Sequence, residues 1–229
     1  MKHLIQNELR GWKRWEILWL LTACAAILAL SLYWHDTPMG IVSAVTGVAC
    51  VVCTGKGKLS AYVFGAVNTL LYALIAFRAK YYGEVLLNAL YYFPLQFYGF
   101  YVWKKHMNAE TAEVYKRRMR PRGLALLLLA VALGTLLLGT VLRRMGGNLP
   151  YVDALSTVVS VTAMIVSIRM YSEQWILWII VDVVTVIMWA AAFARGEDSI
   201  ATLVMWAVYL VNAVIMLVKW EKEAKAYAI

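Results

Sequence analysis

The chain has 229 residues, of which 63% are apolar or aromatic and 15% are charged, with a mean hydropathy of +0.68. That excludes an ordinary soluble domain, which is about 45–50% apolar. A bilayer-crossing helix takes roughly 20 residues, so the chain has material for about eight crossings and little for a separate soluble domain. The formal net charge of +9 lies mostly between apolar runs, where basic residues report membrane orientation, so no nucleic-acid partner is expected.

In chain order, the apolar runs are 15–34, 39–54, 59–78, 84–103, 123–142, 151–169, 174–194 and 199–219. The first follows a basic arm and lacks a small-residue cleavage site, so it reads as an uncleaved helix and not as a signal peptide. The fourth carries Pro94 in mid-run. A proline there frees the carbonyl four residues back, which makes Pro94 a kink and a candidate hinge. Most connections are short, as in an antiparallel bundle. The exception is 104–122, KKHMNAETAEVYKRRMRPR, expected to be a solvated basic loop or an interfacial helix.

With residue 1 in the cytoplasm, alternation puts seventeen basic residues inside and five outside, a clear positive-inside bias with both termini cytoplasmic. Cys50 and Cys53 form a C-x-x-C without a second pair, and no histidine lies in a run. They read as small packing residues, with no metal site and no cofactor expected. No catalytic triad, zinc motif or phosphate loop can be placed on the runs, so an enzyme is not expected. For Glu84, Asp153 and Glu173, at run ends, helix capping is the simplest account.

A shift of about 114 to 117 positions carries runs three and four onto runs seven and eight. It superposes Asn68 on Asp182, Tyr92 on Tyr209 and Trp103 on Trp220. Runs two to four and six to eight then form two three-helix repeats. An odd number of helices reverses the next one, and the fifth run restores the direction, so the repeats are parallel. The expected architecture is an all-α integral membrane protein of about eight helices: an arm and extra helix (1–38), a first repeat (39–103), a basic loop and inverting linker helix (104–150), a second repeat (151–220) and a C-terminal tail (221–229). Such repeats suit alternating access around a central site.

Polar side chains inside a span are costly, about 2.5–3.5 kcal/mol for Asp at a helix centre, and are functional candidates by default. Asp182 is the single acidic residue deep in a run. At about 100° per residue, Trp175, Trp178, Asp182 and Trp189 share a stripe about 60° wide. Asn88, Tyr92, Gln96 and Trp103 form a stripe on the fourth run, Tyr209 and Asn212 on the eighth, and Asn68 and Tyr72 on the third. Trp103, Trp175 and Trp220 also fit interface anchors near span ends, and Asn and Gln also fit interhelical glue. An aromatic cage with amides and one carboxylate suits a planar or cationic ring bearing hydroxyls, such as a nucleoside or vitamin. An amino acid would call for an Arg or a helix N-terminus for its carboxylate.

The segments NALYYFPLQFYGFYVWKK (88–105) and DALSTVVSVTAMIVSIRMYSEQWILWIIVDVVTVIMW (153–189) resemble the PnuC family of bacterial nicotinamide riboside transporters. The E-x-W-x-x-W-x-x-x-D pattern at Glu173, Trp175, Trp178 and Asp182 is the most specific part. The family is similar to the SWEET sugar transporters in its 3+1+3 core. The resemblance implies facilitated uptake of the riboside, a vitamin B3 precursor for NAD biosynthesis, across the bacterial inner membrane, made directional by a cytoplasmic riboside kinase. The substrate-binding set is then Trp178, Asp182, Trp175, Asn212, Tyr209, Asn88, Tyr92, Gln96, Asn68 and Trp189. Asp182 is expected to have Asn68 as its partner, so no coupling ion is called for. Pro94 has Val211 at its repeat position, which weighs against two symmetric hinges. Thiamine or riboflavin transport, a membrane enzyme acting on a lipid, and a scaffold protein are the alternatives, and homo-oligomerisation is left open.

Overall fold

The computed structural model describes residues 2–146, 150–196 and 200–226. A short amphipathic helix α1 (Lys2–Leu9) precedes the long helices α2 (Arg14–Tyr33), α3 (Pro38–Lys56) and α4 (Ser60–Arg78). The fourth crossing is composite: α5 (Tyr82–Leu86), a π-helical stretch (Leu87–Tyr92) and α6 (Phe93–Lys105). After the loop come α7 (Pro121–Arg144), α8 (Pro150–Ile168), α9 (Gln174–Ala194) and α10 (Ile200–Ala226). Among the described residues seven helices are long and apolar enough to cross a membrane, and the composite fourth run brings the total to the expected eight.

Local chemistry sets the helix ends. Proline occupies the first helical position of α3, α7 and α8, where its missing N–H costs no hydrogen bond. Thr37 caps α3 by accepting from Gly40 N at 3.1 Å. Gly57, at φ +82°, ends α3 in the left-handed region that glycine tolerates best. Pro94 cannot donate to the carbonyl four residues back, and the helix widens into the π turn just before it, with Phe93 N donating to Asn88 O. The expected kink is therefore a π segment. The tail expected at 221–229 is helical as far as Ala226, and residues 227–229 lie outside the described residues.

α3 packs against α4 and α10, α8 against α7 and α9, and α7 chiefly against α8. One buried cluster joins Val48, Tyr72, Trp189 and Met205, and another joins Trp103, Met164, Trp175, Met216 and Trp220. Trp103, Trp175 and Trp220 are at most 2% exposed. They are bundle core and not interface anchors, because each is walled in by neighbouring helices. Leucines of α7 such as Leu126 and Leu137 are exposed, as expected of a surface solvated by lipid.

The loop 106–120 is neither fully solvated nor helical. It folds back under the bundle, with Val114 N donating to Gly57 O at 3.0 Å, and buries Lys116 among carboxylates. Lys56 pairs with Glu16 and Glu113 at 2.9 Å each, Lys116 with Glu113 at 2.7 Å and Glu223 at 2.6 Å, and Lys219 with Glu16 at 2.7 Å. Part of the positive charge that reads as flanking charge is thus internally neutralised.

Candidate functional site

A cavity in the middle of the bundle is lined by Asn68, Asn88, Tyr92, Gln96, Trp175, Trp178, Asp182 and Tyr209. Eight of the ten substrate-binding candidates are therefore brought together from four helical segments. Tyr62, Tyr72, Ser167 and Trp206 also line it. Of these, Tyr62 and Trp206 carry no polar pattern that would single them out in the sequence, since isolated aromatics in apolar runs are ordinary packing residues.

Two candidates lie elsewhere. Asn212 accepts from Trp19 Nε1 at 3.2 Å and donates to Val51 O at 3.2 Å, so it fastens α10 to α2 and α3. Its stripe on α10 is right, but the wall it faces is a helix contact. Trp189 sits behind the cavity wall, 1% exposed, donating to Tyr72 Oη at 2.7 Å. Being nearly two turns beyond Asp182, it packs against Tyr72 and Tyr81.

The π turn has a geometric effect on the fourth run. In an α-helix, residues four apart drift by about 40°. A π turn winds less per residue and takes part of that drift back, which keeps Asn88, Tyr92 and Gln96 on one wall. Asn88 Nδ2 bonds to Glu84 O at 2.9 Å and Glu84 Oε2 at 3.3 Å. Its Oδ1 has no donor among the described residues. Gln96 packs across Gly65, where an added Cβ would lie 2.5 Å from Oε1. Tyr92 and Trp178 stand with ring centroids 6.1 Å apart and planes tilted by 50°.

Asn68 does not pair with Asp182, contrary to expectation. Its Nδ2 donates to Ser43 O on the adjoining α3 at 2.8 Å, and its Oδ1 accepts from Tyr209 Oη at 3.4 Å, so both ends of the amide are engaged elsewhere. Asp182 is 3% exposed, and no hydrogen bond or ion pair to it occurs among the described residues. Trp175 Nε1, Trp206 Nε1 and Tyr62 Oη are buried donors without partners among the described residues. A buried polar group without a partner is costly, about 1–3 kcal/mol, so the cavity wall combines aromatic faces with hydrogen-bonding capacity the protein itself does not use. No Lys or Arg lines it.

Glu173, the first residue of the E-x-W-x-x-W-x-x-x-D pattern, does not cap α9 through its side chain. Its Oε1 accepts from Met119 N at 3.0 Å, tying the loop to the start of α9. Among the described residues no group of three metal-ligating side chains occurs.

Residues 37–222 match the model of a family described as nicotinamide mononucleotide transporter. A nicotinamide riboside transporter PnuC of Neisseria mucosa is 40% identical over 95% of this chain and 85% of its own length. Its counterpart from Haemophilus influenzae is 31% identical over 97% of this chain and 96% of its own. A solved structure of the vitamin B3 transporter PnuC superposes with a TM-score of 0.88 at 39% identity, covering 98% of both chains. The chain belongs to the PnuC family of multi-pass membrane transporters.

Proposed function

We propose that this chain carries nicotinamide riboside across the bacterial inner membrane by facilitated diffusion. The observation that carries the reading is the Asp182 carboxylate, buried on an aromatic wall without a partner among the described residues. A pyridinium ring stacked on Trp178 and Tyr92 would gain about 2 kcal/mol once desolvated, with Asp182 as its counter-charge. The amides of Asn88 and Gln96 would serve the ribose and carboxamide. The relatives, named as nicotinamide riboside transporters, support the riboside, whereas the family is described by the mononucleotide. The cavity lining favours the riboside: a phosphate would call for Arg or Lys, and the wall offers a carboxylate instead.

Residues 39–103 and 151–220 are read as two parallel three-helix units that rock about this cavity, with Pro94 and its π turn as the hinge. The equal length of α3 and α8, 19 residues each and both starting at proline, supports the pairing. Both termini are placed in the cytoplasm on the seventeen-to-five charge bias. A cytoplasmic kinase that phosphorylates the riboside would make uptake directional, since the mononucleotide does not fit the cavity chemistry. The mass of the detergent-solubilised protein by light scattering decides between a monomer and a homo-oligomer.

Calorimetric titration with nicotinamide riboside and the mononucleotide tests the assignment. The riboside binds, the mononucleotide binds at least tenfold more weakly, and Trp178→Ala and Asp182→Asn each weaken riboside binding tenfold or more. Full binding by both variants would remove these residues from the site.

A further inference from the structure

Five arginines gather at one place on the basic face: Arg117, Arg118, Arg120, Arg122 and Arg169 border a groove of about 1060 Å3 between the start of α7 and the end of α8. All five are exposed. Arg118 is 4.0 Å from Glu221; for the other four no ion pair occurs among the described residues. The nearby Glu173 and Glu223 are engaged by Met119 N and Lys116 respectively.

This backbone is held in place. Arg117 N donates to Met170 O at 2.8 Å, Ser172 N donates to Arg117 O at 2.8 Å, and Met119 is fixed to Glu173. The guanidinium groups therefore extend from a short pinned ribbon and not from a free loop. Beyond them the groove wall turns apolar, through Leu126, Leu127 and Ile165. It opens onto α7, whose apolar span is 6% buried.

We propose that this groove binds an anionic phospholipid of the leaflet that the basic face meets. The charge order matches that occupant: guanidinium groups at headgroup level suit phosphodiesters through paired N–H···O bonds, and the leucine wall below suits acyl chains. Five guanidinium groups exceed what a single phosphate can engage, so a lipid with two phosphates binds better than one with a single phosphate. A free organic phosphate would use the arginines but not the apolar wall.

The test is native mass spectrometry of the full chain released from detergent, with cardiolipin, phosphatidylglycerol or phosphatidylcholine of matched chains. Retention is expected in that descending order, with cardiolipin at least tenfold above phosphatidylcholine. The variants R117Q/R169Q and R117Q/R120Q/R122Q/R169Q progressively lose that preference, while K104Q/K105Q, on the same face but outside the groove, keeps it. Equal retention of phosphatidylcholine, equal loss in K104Q/K105Q, or displacement of the lipid by millimolar glycerol phosphate would overturn the proposal. Riboside binding by each variant is read in parallel. Since none of these side chains lines the central cavity, it stays unchanged and separates this proposal from the transport assignment.

Discussion

Trp103 and Trp220 stand with ring centroids 6.4 Å apart, and each sends its indole N–H to the end of a different helix. Trp103 Nε1 donates to Ser167 O at 3.3 Å, and Trp220 Nε1 donates to Gly55 O at 2.8 Å. Gly55 and Ser167 are each the penultimate residue of a 19-residue helix. The two contacts are reciprocal: α6 holds the end of α8, and α10 holds the end of α3. Together they tie the helix ends beside Lys56 and Lys104, on the basic face.

Trp220→Phe keeps most of the ring volume and removes one donor. The loss is about 1 kcal/mol and loosens that end of the bundle. In a C24S/C53S background, the remaining Cys50, which lines the cavity, should react faster with a water-soluble thiol reagent applied from the basic face. An unchanged rate would mean that the tryptophan pair does not govern access.

Asn212 is a fully buried amide and Asn68 a half-buried one, and they predict opposite outcomes. Asn212→Ala strips Trp19 and Val51 of their partner and should cost about 1–3 kcal/mol of stability, read as a lower thermal midpoint, with riboside affinity nearly unchanged. Asn68→Ala should lower affinity. An Asn212 variant that binds poorly while folding normally would return this residue to the site.

Gly47 lies opposite the cavity's amide corner. A methyl there would overlap the Tyr209 hydroxyl and come within 2.7 Å of Asn68 Nδ2. Gly47→Ala should displace both and weaken riboside binding by several-fold, at an overpacking cost of about 1–3 kcal/mol. Wild-type affinity in this variant would show that neither group contacts substrate.

Burial pushes the Glu113 carboxyl up, but Lys116 and Lys56 outweigh it and hold it below the usual carboxylate range. A depressed folded-state pKa contributes stability that is fully present above the unfolded value of about 4.3 and lost as pH falls through the folded value. The thermal midpoint should therefore drop on acidification, and Glu113→Gln should flatten that slope while lowering the midpoint at neutral pH. A variant with the same acid slope as wild type would exclude Glu113 as its source.

The crossings were legible as apolar runs of spanning length, whereas their ends are set by Pro38, Gly57, Pro121 and Pro150, each outside the run it bounds. The polar stripes were legible because a buried amide or carboxylate in an apolar run has few reasons to exist. What one helix cannot say is which neighbour its stripe faces. Asn212 and Trp189 lie at the proper angle on α10 and α9, yet one meets α2 and the other meets Tyr72 behind the wall. The π turn was equally hidden, since Pro94 announces a disturbance and not its form. Lys116 read as solvent-facing because its carboxylate partners come from α10 and from its own loop, a coincidence that only the folded chain creates.

Helix α4 has Leu59 at its N-cap and no side-chain cap of its own. Instead the Glu8 carboxylate accepts from Leu59 N at 3.3 Å and Ser60 N at 3.1 Å, so the stop for these orphan donors is borrowed from far upstream. During synthesis Glu8 leaves the ribosome well before α4 does. The helix that carries Asn68 and Tyr72 thus finds its terminus already waiting at the membrane surface, and trimming the arm would be felt inside the bundle.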